Sequence, residues 1–369
     1  MKHIKLFEQF LFEKKLSADQ KSLYDKYAKR VVWIMQTSDL RTTSGNINAR
    51  EKKYNTAAKN SLFINFFTKE DYNDKTAIVP NDLPILYYGG SKDIESEQFL
   101  KNKKVDYNKL YNKRDILMIS GDKTIFGKTF GKYKWLPKTV FSKEEAIKGD
   151  VGFPVIAKIK NGHSGVGIEK FDTKKDLDET AEKFDLFCQF IDFKREYRVI
   201  FCQDKLIAIN ERVPTIEDDS SINTKKVGDK IKFTYVYQDL NKIDEDFIKQ
   251  CNTICKDIKK GGLDLNFWSL DVVVDKDKKL WVMETSSAMG MGSVKMCEAY
   301  RAIYEDYYKE KLPDEFLEHI YKEFIVTGHQ NYWPKYKKEI ESSPCAMDYT
   351  ILTDEKHPGG YRYFFNLDK

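Results

Sequence analysis

Short apolar runs in the second third of the chain, separated by polar segments, predict a series of β-strands. These runs are rich in Val, Ile and aromatic residues and are bounded by charged or turn-forming residues, as strands are. The predicted strands are residues 155–159, 168–171, 186–191, 195–201, 206–211, 232–237, 268–274 and 280–284. Helices are predicted between them, so the pattern is typical of the α+β class, with the helices on one side of the strands.

Three helices are predicted in the same region. Residues 143–148 form the first, and residues 172–184, with Asp172 or Thr173 as the N-cap, form the second. The third covers residues 247–258 and ends at two glycines. Its apolar face includes two of the cysteines, which the spacing therefore assigns to the core.

The segment before this region, residues 17–120, predicts a smaller α/β domain. Apolar runs at residues 31–35, 77–79 and 85–88 predict strands, and two glycines follow the last run. Residues 41–59 are polar and basic, which favours a solvated loop and helix over a substrate entrance.

Lys158 interrupts the apolar run of the first predicted strand in the strand-rich region. A buried ammonium group is costly unless an anion pairs with it. The following residues, 161–167, contain Gly162, Gly165 and Gly167, which let backbone N–H groups approach a phosphate. Because a strand and not a helix follows, the segment differs from the P-loop and the dinucleotide-binding turn. A glycine-rich hairpin turn, with the lysine reaching solvent at a strand edge, is the alternative interpretation.

Two carboxylates occupy the last predicted hairpin. Asp271 lies within one apolar strand, and Glu284 ends the next, across a turn at residues 275–279. Such a hairpin can place both on one face, close enough to hold Mg²⁺. Without a cation, two buried acids repel and one becomes protonated. The alternative is that each acid pairs with an arginine, Arg198 or Arg212.

Composition excludes several classes of protein. The net charge of +5 arises from 63 basic and 58 acidic residues, a surplus too small to indicate nucleic-acid binding. No apolar stretch approaches the roughly 20 residues that span a bilayer, so no membrane partner is expected. The six cysteines and five histidines have no metal-ligand spacing, which favours a reducing, cytoplasmic location.

Residues 122–292 resemble the ATP-grasp superfamily, in which two α+β subdomains grip ATP. In these enzymes an early lysine and a strand lysine reach the phosphates, and a flexible glycine loop covers them. A strand backbone reads adenine, and an acid binds the ribose hydroxyls. The positions that the resemblance assigns to ATP are Lys123, Lys158, Gly162, Ser164, Gly165, Gly167, Gln189, Phe190, Ile191 and Glu196.

The resemblance also assigns Asp271, Glu284 and Ser286 to Mg²⁺. The family usually has asparagine at the last position, so the serine implies a metal that is held weakly or through water. Some members have an arginine where this chain has Ser269. The resemblance to glutathione-synthase-like and ribosomal-protein-modifying members supplies Arg198 or Arg212 as its catalytic replacement.

The activity implied by this resemblance is an ATP- and Mg²⁺-dependent ligation of a carboxylate to an amine or peptide through an acylphosphate. The partners would be small-molecule or peptide substrates. Two hypotheses stay open beside it: a nucleotide-binding protein without turnover, and a kinase that phosphorylates its substrate and stops. The predicted divisions of the chain are 1–16, 17–120, 121–325 and 326–369. The first is an amphipathic helix, interpreted as a terminal helix docked on its own domain. The alternative is a detachable leader that resembles those of tailed-bacteriophage proteins. The last division is an aromatic extension.

Overall fold

The structure is a computed structural model, and it divides the chain into two compact units. The described residues are 17–35, 62–63, 65–67, 79, 83–88, 94–160, 167–180, 183–214, 233–238, 240–287 and 293–320. One unit contains the described residues up to Asp115 and those from Ser287 onward, and the other contains Ile116–Ser286. The predicted N-terminal helix, the basic segment 41–59 and the aromatic extension lie outside the described residues.

The first unit contains a parallel four-stranded sheet, as expected for an α/β domain. Its strands are β1 (Val32–Met35), β2 (Asn65–Phe67), β3 (Ile85–Tyr88) and β4 (Leu110–Tyr111), in the order β2-β1-β3-β4. The central strand β3 is an unbroken apolar run, because strands of a parallel sheet are covered on both faces. The predicted strands at 31–35 and 85–88 are confirmed, while Val79 is not in a strand and residues 77–78 are not described.

The described part of the first unit contains four α-helices, one of which holds the chain where it enters β1. They are α1 (Ala18–Lys26), α2 (Ile94–Asn102), α8 (Ser293–Tyr308) and α9 (residues 314–320). In α8, the Tyr300 hydroxyl accepts a hydrogen bond from the Val31 N–H, and the Tyr308 hydroxyl accepts from the Arg30 N–H and donates to its carbonyl. These bonds satisfy the backbone groups before β1 that the sheet ladder leaves unpaired.

The second unit contains two antiparallel sheets. The smaller sheet has the order β5-β8-β6-β7, with β5 (Thr139–Val140), β6 (Val155–Lys158), β7 (Ile168–Phe171) and β8 (Leu186–Gln189). The larger has the order β11-β10-β9-β12-β13, with β9 (Phe193–Cys202), β10 (Lys205–Pro214), β11 (Phe233–Gln238), β12 (Phe267–Asp275) and β13 (Leu280–Ser286). All eight predicted strands of this region are therefore present, although their ends differ by a few residues.

The helices of this region cap or cover the two sheets. They are α3 (Arg114–Gly121), α4 (Lys123–Phe130), α5 (Lys143–Ile147), α6 (Lys174–Asp178) and α7 (Glu245–Lys260). The predicted helix 172–184 is too long, because α6 ends at Asp178. The Lys143 ammonium group donates to the carbonyls of Asp178 and Thr180, so the carbonyls at this helix end are satisfied from outside. None of the helices described is long and apolar enough to cross a membrane.

Helix α7 is amphipathic, as its sequence predicts. Cys251, Ile254, Cys255 and Ile258 form its buried face, and the cysteines are free thiols. Burial raises the pKa of Cys255 to about 12, which keeps it protonated. The assignment of both cysteines to the core is therefore confirmed.

The end of α7 yields a stability prediction. A Cβ at Gly261 would collide with the ring of Phe130, which is fully buried. Gly261→Ala should therefore lower the free energy of unfolding by about 1–3 kcal/mol, as overpacked cores do. Urea denaturation measures this loss. Gly261→Ala should cost less stability when it is added to Phe130→Leu than when it is added to wild type, because the smaller side chain removes the collision. Equal costs in the two backgrounds would contradict the collision.

Candidate nucleotide-binding site

A cleft in the second unit brings together three of the predicted site residues. Lys123, Lys158 and Glu284 line it, together with residues of α3, α4 and both sheets. Its volume is about 50 Å³. Ligand pockets usually exceed about 300 Å³, so the described cleft can enclose only part of a nucleotide-sized ligand.

Lys123 is positioned by the start of α4. Asp122 is the N-cap, and its carboxylate accepts hydrogen bonds from the N–H groups of Thr124 and Ile125. The N–H of Lys123 donates to the carbonyl of Lys160, just beyond β6. These contacts place the beginning of α4 beside the end of β6, which carries Lys158.

Lys158 is 7% exposed and lies on a strand whose four residues are all buried. No carboxylate of the described residues lies within 4 Å of its ammonium group. A buried cation without a counterion is unfavourable unless an anion binds beside it. The prediction that this strand is buried is confirmed, and the strand-edge alternative is wrong for Lys158.

Glu284 lies at the other side of the cleft. Its carboxylate is 3.4 Å from the Lys123 ammonium group, and its side chain is 35% exposed. The antiparallel register of β12 and β13 places it directly opposite Asp271. The predicted hairpin is therefore confirmed, and it sets both acids side by side on adjacent strands.

Asp271 is held by an arginine. The Arg198 guanidinium donates two hydrogen bonds to it, one to each carboxylate oxygen and both 2.7 Å long. Burial disfavours the charged carboxylate, but the adjacent guanidinium outweighs burial and lowers the pKa of Asp271. The alternative in which each acid pairs with an arginine is therefore correct for Asp271. It is not correct for Glu284, which contacts Lys123.

A second ion pair lies on the same sheet. Arg212 donates to Glu196 over 2.6 Å, and Glu196 is 7% exposed. Burial raises the pKa of Glu196, and the Arg212 charge opposes that shift. The residue predicted to bind the ribose is thus bonded to one of the two predicted catalytic arginines.

The two acids of the hairpin fit a magnesium ion that is shared with phosphates. An ionised carboxylate has about four acceptor positions, so Asp271 keeps some beyond those that Arg198 uses. Mg²⁺ typically takes one or two carboxylates and completes its shell with water and phosphate oxygens. No three His, Cys, Asp or Glu residues among those described form a closed metal cage. Ser286 lies two residues after Glu284 on β13, opposite Ser269, whose hydroxyl donates to the Ser286 carbonyl over 3.4 Å.

Part of the predicted glycine loop can be located. Gly162, Ser164 and Gly165 lie outside the described residues. Gly167 has a φ of 71°, and a Cβ there would collide with the side chain of Ile159. Glycine is therefore required at the point where the loop enters β7.

The segment predicted to contact adenine through its backbone, residues 189–191, is only partly a strand. Gln189 ends β8, and Phe190 and Ile191 follow it. The N–H of Gln189 donates to the Lys138 carbonyl and that of Phe190 to the Pro154 carbonyl, so both donors are already bonded within the protein. The described cleft is lined instead by Leu186 and Cys188 of the same strand.

Sequence reasoning missed these cleft residues and also Met283, which precedes Glu284. The signal for Leu186 and Cys188 was the two-residue period of the strand, since alternate residues share a face. It was not usable alone, because nothing in the sequence says which face of β8 meets the cleft.

Comparison with known proteins identifies the fold. No protein-family model and no curated protein sequence matches the chain. D-alanine–D-alanine ligase from Bacillus anthracis superposes with a TM-score of 0.52 at 15% identity, covering 83% of this chain and 99% of that one. Carboxyaminoimidazole ribonucleotide synthase from Aspergillus clavatus, solved with ATP, gives 0.52 at 12% identity, covering 91% and 93%. The chain therefore has the ATP-grasp fold, as its sequence predicted.

Proposed function

We propose that the protein binds ATP and Mg²⁺ and ligates a carboxylate to an amine through an acylphosphate. The observation that carries this proposal is the buried Lys158, which lacks a carboxylate partner among the described residues and shares a cleft with Lys123 and Glu284. Structures of the same fold support it, since the B. anthracis ligase and the A. clavatus synthase were both solved with ATP.

The lysines would neutralise the phosphates in this reaction. A substrate carboxylate attacks the γ-phosphorus and ADP leaves, which forms the acylphosphate. An amine then attacks the acyl carbon and phosphate leaves, which forms the amide. Lys123 and Lys158 would stabilise the charge on the transferred group. No covalent nucleophile of the protein is needed, because positioning and charge neutralisation suffice.

The metal site would be formed by the hairpin acids. Asp271 and Glu284 would hold Mg²⁺, with Ser286 near it, and the bound ion would supply electrophilic stabilisation of the phosphates. Arg198 would keep Asp271 ionised and fixed in orientation through its two hydrogen bonds.

The remaining predicted residues would complete the nucleotide subsites. Residues 162–167 would cover the phosphates, and the backbone of residues 189–191 would contact adenine. Glu196 would bind the ribose hydroxyls, with Arg212 holding its carboxylate. Because both N–H groups at Gln189 and Phe190 are used within the protein, adenine would be read there by other backbone groups.

A nucleotide-binding protein without turnover is the second candidate. The ion pairs of Asp271 with Arg198 and of Glu196 with Arg212 favour it, because they already satisfy two residues that ATP and its metal would need. Products distinguish the candidates. A ligase releases ADP, phosphate and an amide, a kinase releases ADP and a phosphorylated substrate, and a non-catalytic protein releases none.

Lys158→Met tests nucleotide binding directly. The variant removes the charge and keeps an unbranched apolar side chain, so a buried strand should accept it. We expect the affinity for MgATP, measured by calorimetry, to fall by about 10- to 100-fold, the effect of losing one charge-assisted contact. Lys160→Met is the matched control, since this exposed lysine lies two residues further along. Equal affinity of the Lys158→Met and wild-type proteins would contradict the proposal.

A further inference from the structure

A row of polar residues crosses the larger sheet of the second unit. The strand register aligns Asn210 on β10, Arg198 on β9, Asp271 on β12 and Glu284 on β13. Neighbouring strands are about 4.8 Å apart, so the row extends for about 14 Å. Its Glu284 end adjoins the cleft with the two lysines, and Asn210 is at the opposite end.

The row lies on the face that α7 does not cover. The ring of Tyr197 packs against Phe247 of α7, with the ring centroids 5.0 Å apart. Successive side chains of a strand point to opposite faces. Arg198, which follows Tyr197, and its cross-strand partner Asn210 therefore point away from α7.

The side-chain nitrogen of Asn210 is buried without a hydrogen-bond partner among the described residues. The residue is 3% exposed, and its two predecessors on β10, Ala208 and Ile209, are fully buried. Its Nδ2 atom is buried and makes no hydrogen bond to the described residues. Its neighbour Arg198 donates instead to Asp271. Buried amide groups are almost always paired, so the acceptor for this donor is expected to come from water or from a bound molecule.

We propose that Asn210 is a specificity-determining residue, whose carboxamide donates a hydrogen bond to a carbonyl oxygen of one of the two substrates that are joined. This inference rests on the proposed function, in which the phosphates occupy the Glu284 end of the row. The substrate that receives or supplies the acyl group then lies along the row, over Arg198, and reaches Asn210.

The charges around Asn210 select the class of that substrate. Arg198 and Arg212 are each paired with a carboxylate, so they leave little net charge beside the amide. Burying a neutral carbonyl oxygen there costs less than burying an unpaired carboxylate. The expected ligand atom is therefore an amide carbonyl oxygen, which assigns a peptide or another amide-bearing molecule to this subsite.

Asn210→Leu tests whether the carboxamide has a structural role. Leucine has nearly the same size and no polar group. If the amide has no partner within the protein, thermal unfolding should show an unchanged or higher Tm. A fall of more than about 3 °C would mean that the amide is bonded within the fold, and would overturn the inference.

Nuclear magnetic resonance of the side-chain amide tests the ligand. The Asn210 Nδ2H₂ signals are identified by their absence from the spectrum of Asn210→Leu. In the presence of MgADP, acetamide should shift these signals, and acetate, which has the same shape but a charge, should shift them less. No shift with acetamide, or an equal or larger shift with acetate, would overturn the assignment.

Calorimetry with MgADP separates this inference from the proposed function. Wild type and Asn210→Leu should bind MgADP with affinities within about twofold, because Asn210 is about 14 Å from the Glu284 end of the row. If wild type fails to bind MgADP, the proposed function is wrong. If both proteins bind it and acetamide leaves the Asn210 signals unmoved, only the inference about Asn210 is wrong.

Discussion

Glu284→Gln is expected to reduce turnover on the order of 10³-fold or more while the protein stays folded. The change keeps the size of the side chain and removes the charge that would hold Mg²⁺. The side chain is 35% exposed and its partner Lys123 is 3.4 Å away, so the loss of this ion pair should change stability by no more than about 1 kcal/mol.

The measurement is ADP and phosphate release with amino-acid and peptide mixtures as substrates, with mass spectrometry of the products. Glu211→Gln is the matched control, because it removes a carboxylate that lies 3.7 Å from Arg195 on the same sheet. The control should turn over like wild type. Normal turnover by Glu284→Gln would exclude it from catalysis and favour the non-catalytic candidate.

Replacing Ser286 by asparagine, the residue usual at this position in the ATP-grasp superfamily, complements this experiment. If the serine weakens a real metal site, Ser286→Asn should raise the affinity for Mg²⁺ in the presence of ADP, because an amide oxygen is added two residues from Glu284. A metal affinity that does not change would remove Ser286 from the proposed ligands.

The second large effect is expected at the buried ion pair. Arg198→Met should lower the free energy of unfolding by about 3–5 kcal/mol, because it leaves the Asp271 carboxylate buried without its cation. The side chains of Arg198 and Asp271 are only 13% and 8% exposed, so water cannot replace the lost partner. Denaturation in urea, without nucleotide, measures this change.

The double variant Arg198→Met, Asp271→Leu is the control for this prediction. Removing both charges should restore most of the lost stability, since a buried pair replaced by apolar residues of similar size is often neutral. If the double variant is as unstable as Arg198→Met, the loss comes from packing and not from an unpaired charge.

The stability of wild type should also depend on pH through Asp271. The folded state lowers the pKa of this carboxyl below its usual value of 3.8, since Arg198 stabilises the anion. Its contribution is therefore present above about pH 4 and is lost as the pH falls through the lowered pKa. Asp271→Asn should lack this acid-dependent loss, and identical acid profiles of the two proteins would contradict the assignment.

MgATP should stabilise Glu284→Gln and its control Glu211→Gln to different extents. A ligand that binds only the folded state raises its stability. MgATP should therefore stabilise wild type and Glu211→Gln, and stabilise Glu284→Gln less. If Asp271 were only structural, MgATP would stabilise Asp271→Asn as much as it stabilises wild type.

The sequence alone determined the elements and the chemistry of single positions. Short apolar runs rich in Val, Ile and aromatic residues located every strand of the larger sheet, because a strand that is buried in a core needs them whatever its partner. A charged residue inside such a run was an equally local signal, and it pointed to Lys158 and Asp271. Asn210 carried the same signal, a polar residue after Ile207–Ile209, and was not singled out.

Only the tertiary structure decided how these residues are paired. The sequence left Asp271 between a metal and an arginine, and the choice of Arg198 depends on strand order, which places β9 between β10 and β12. The length of α6 was also decided by a distant residue, since Lys143 of α5 satisfies the carbonyls at its end. Burial, side-chain pairing and strand register depend on residues that are far apart in the chain. The local patterns that define a strand therefore cannot specify which strand lies beside it.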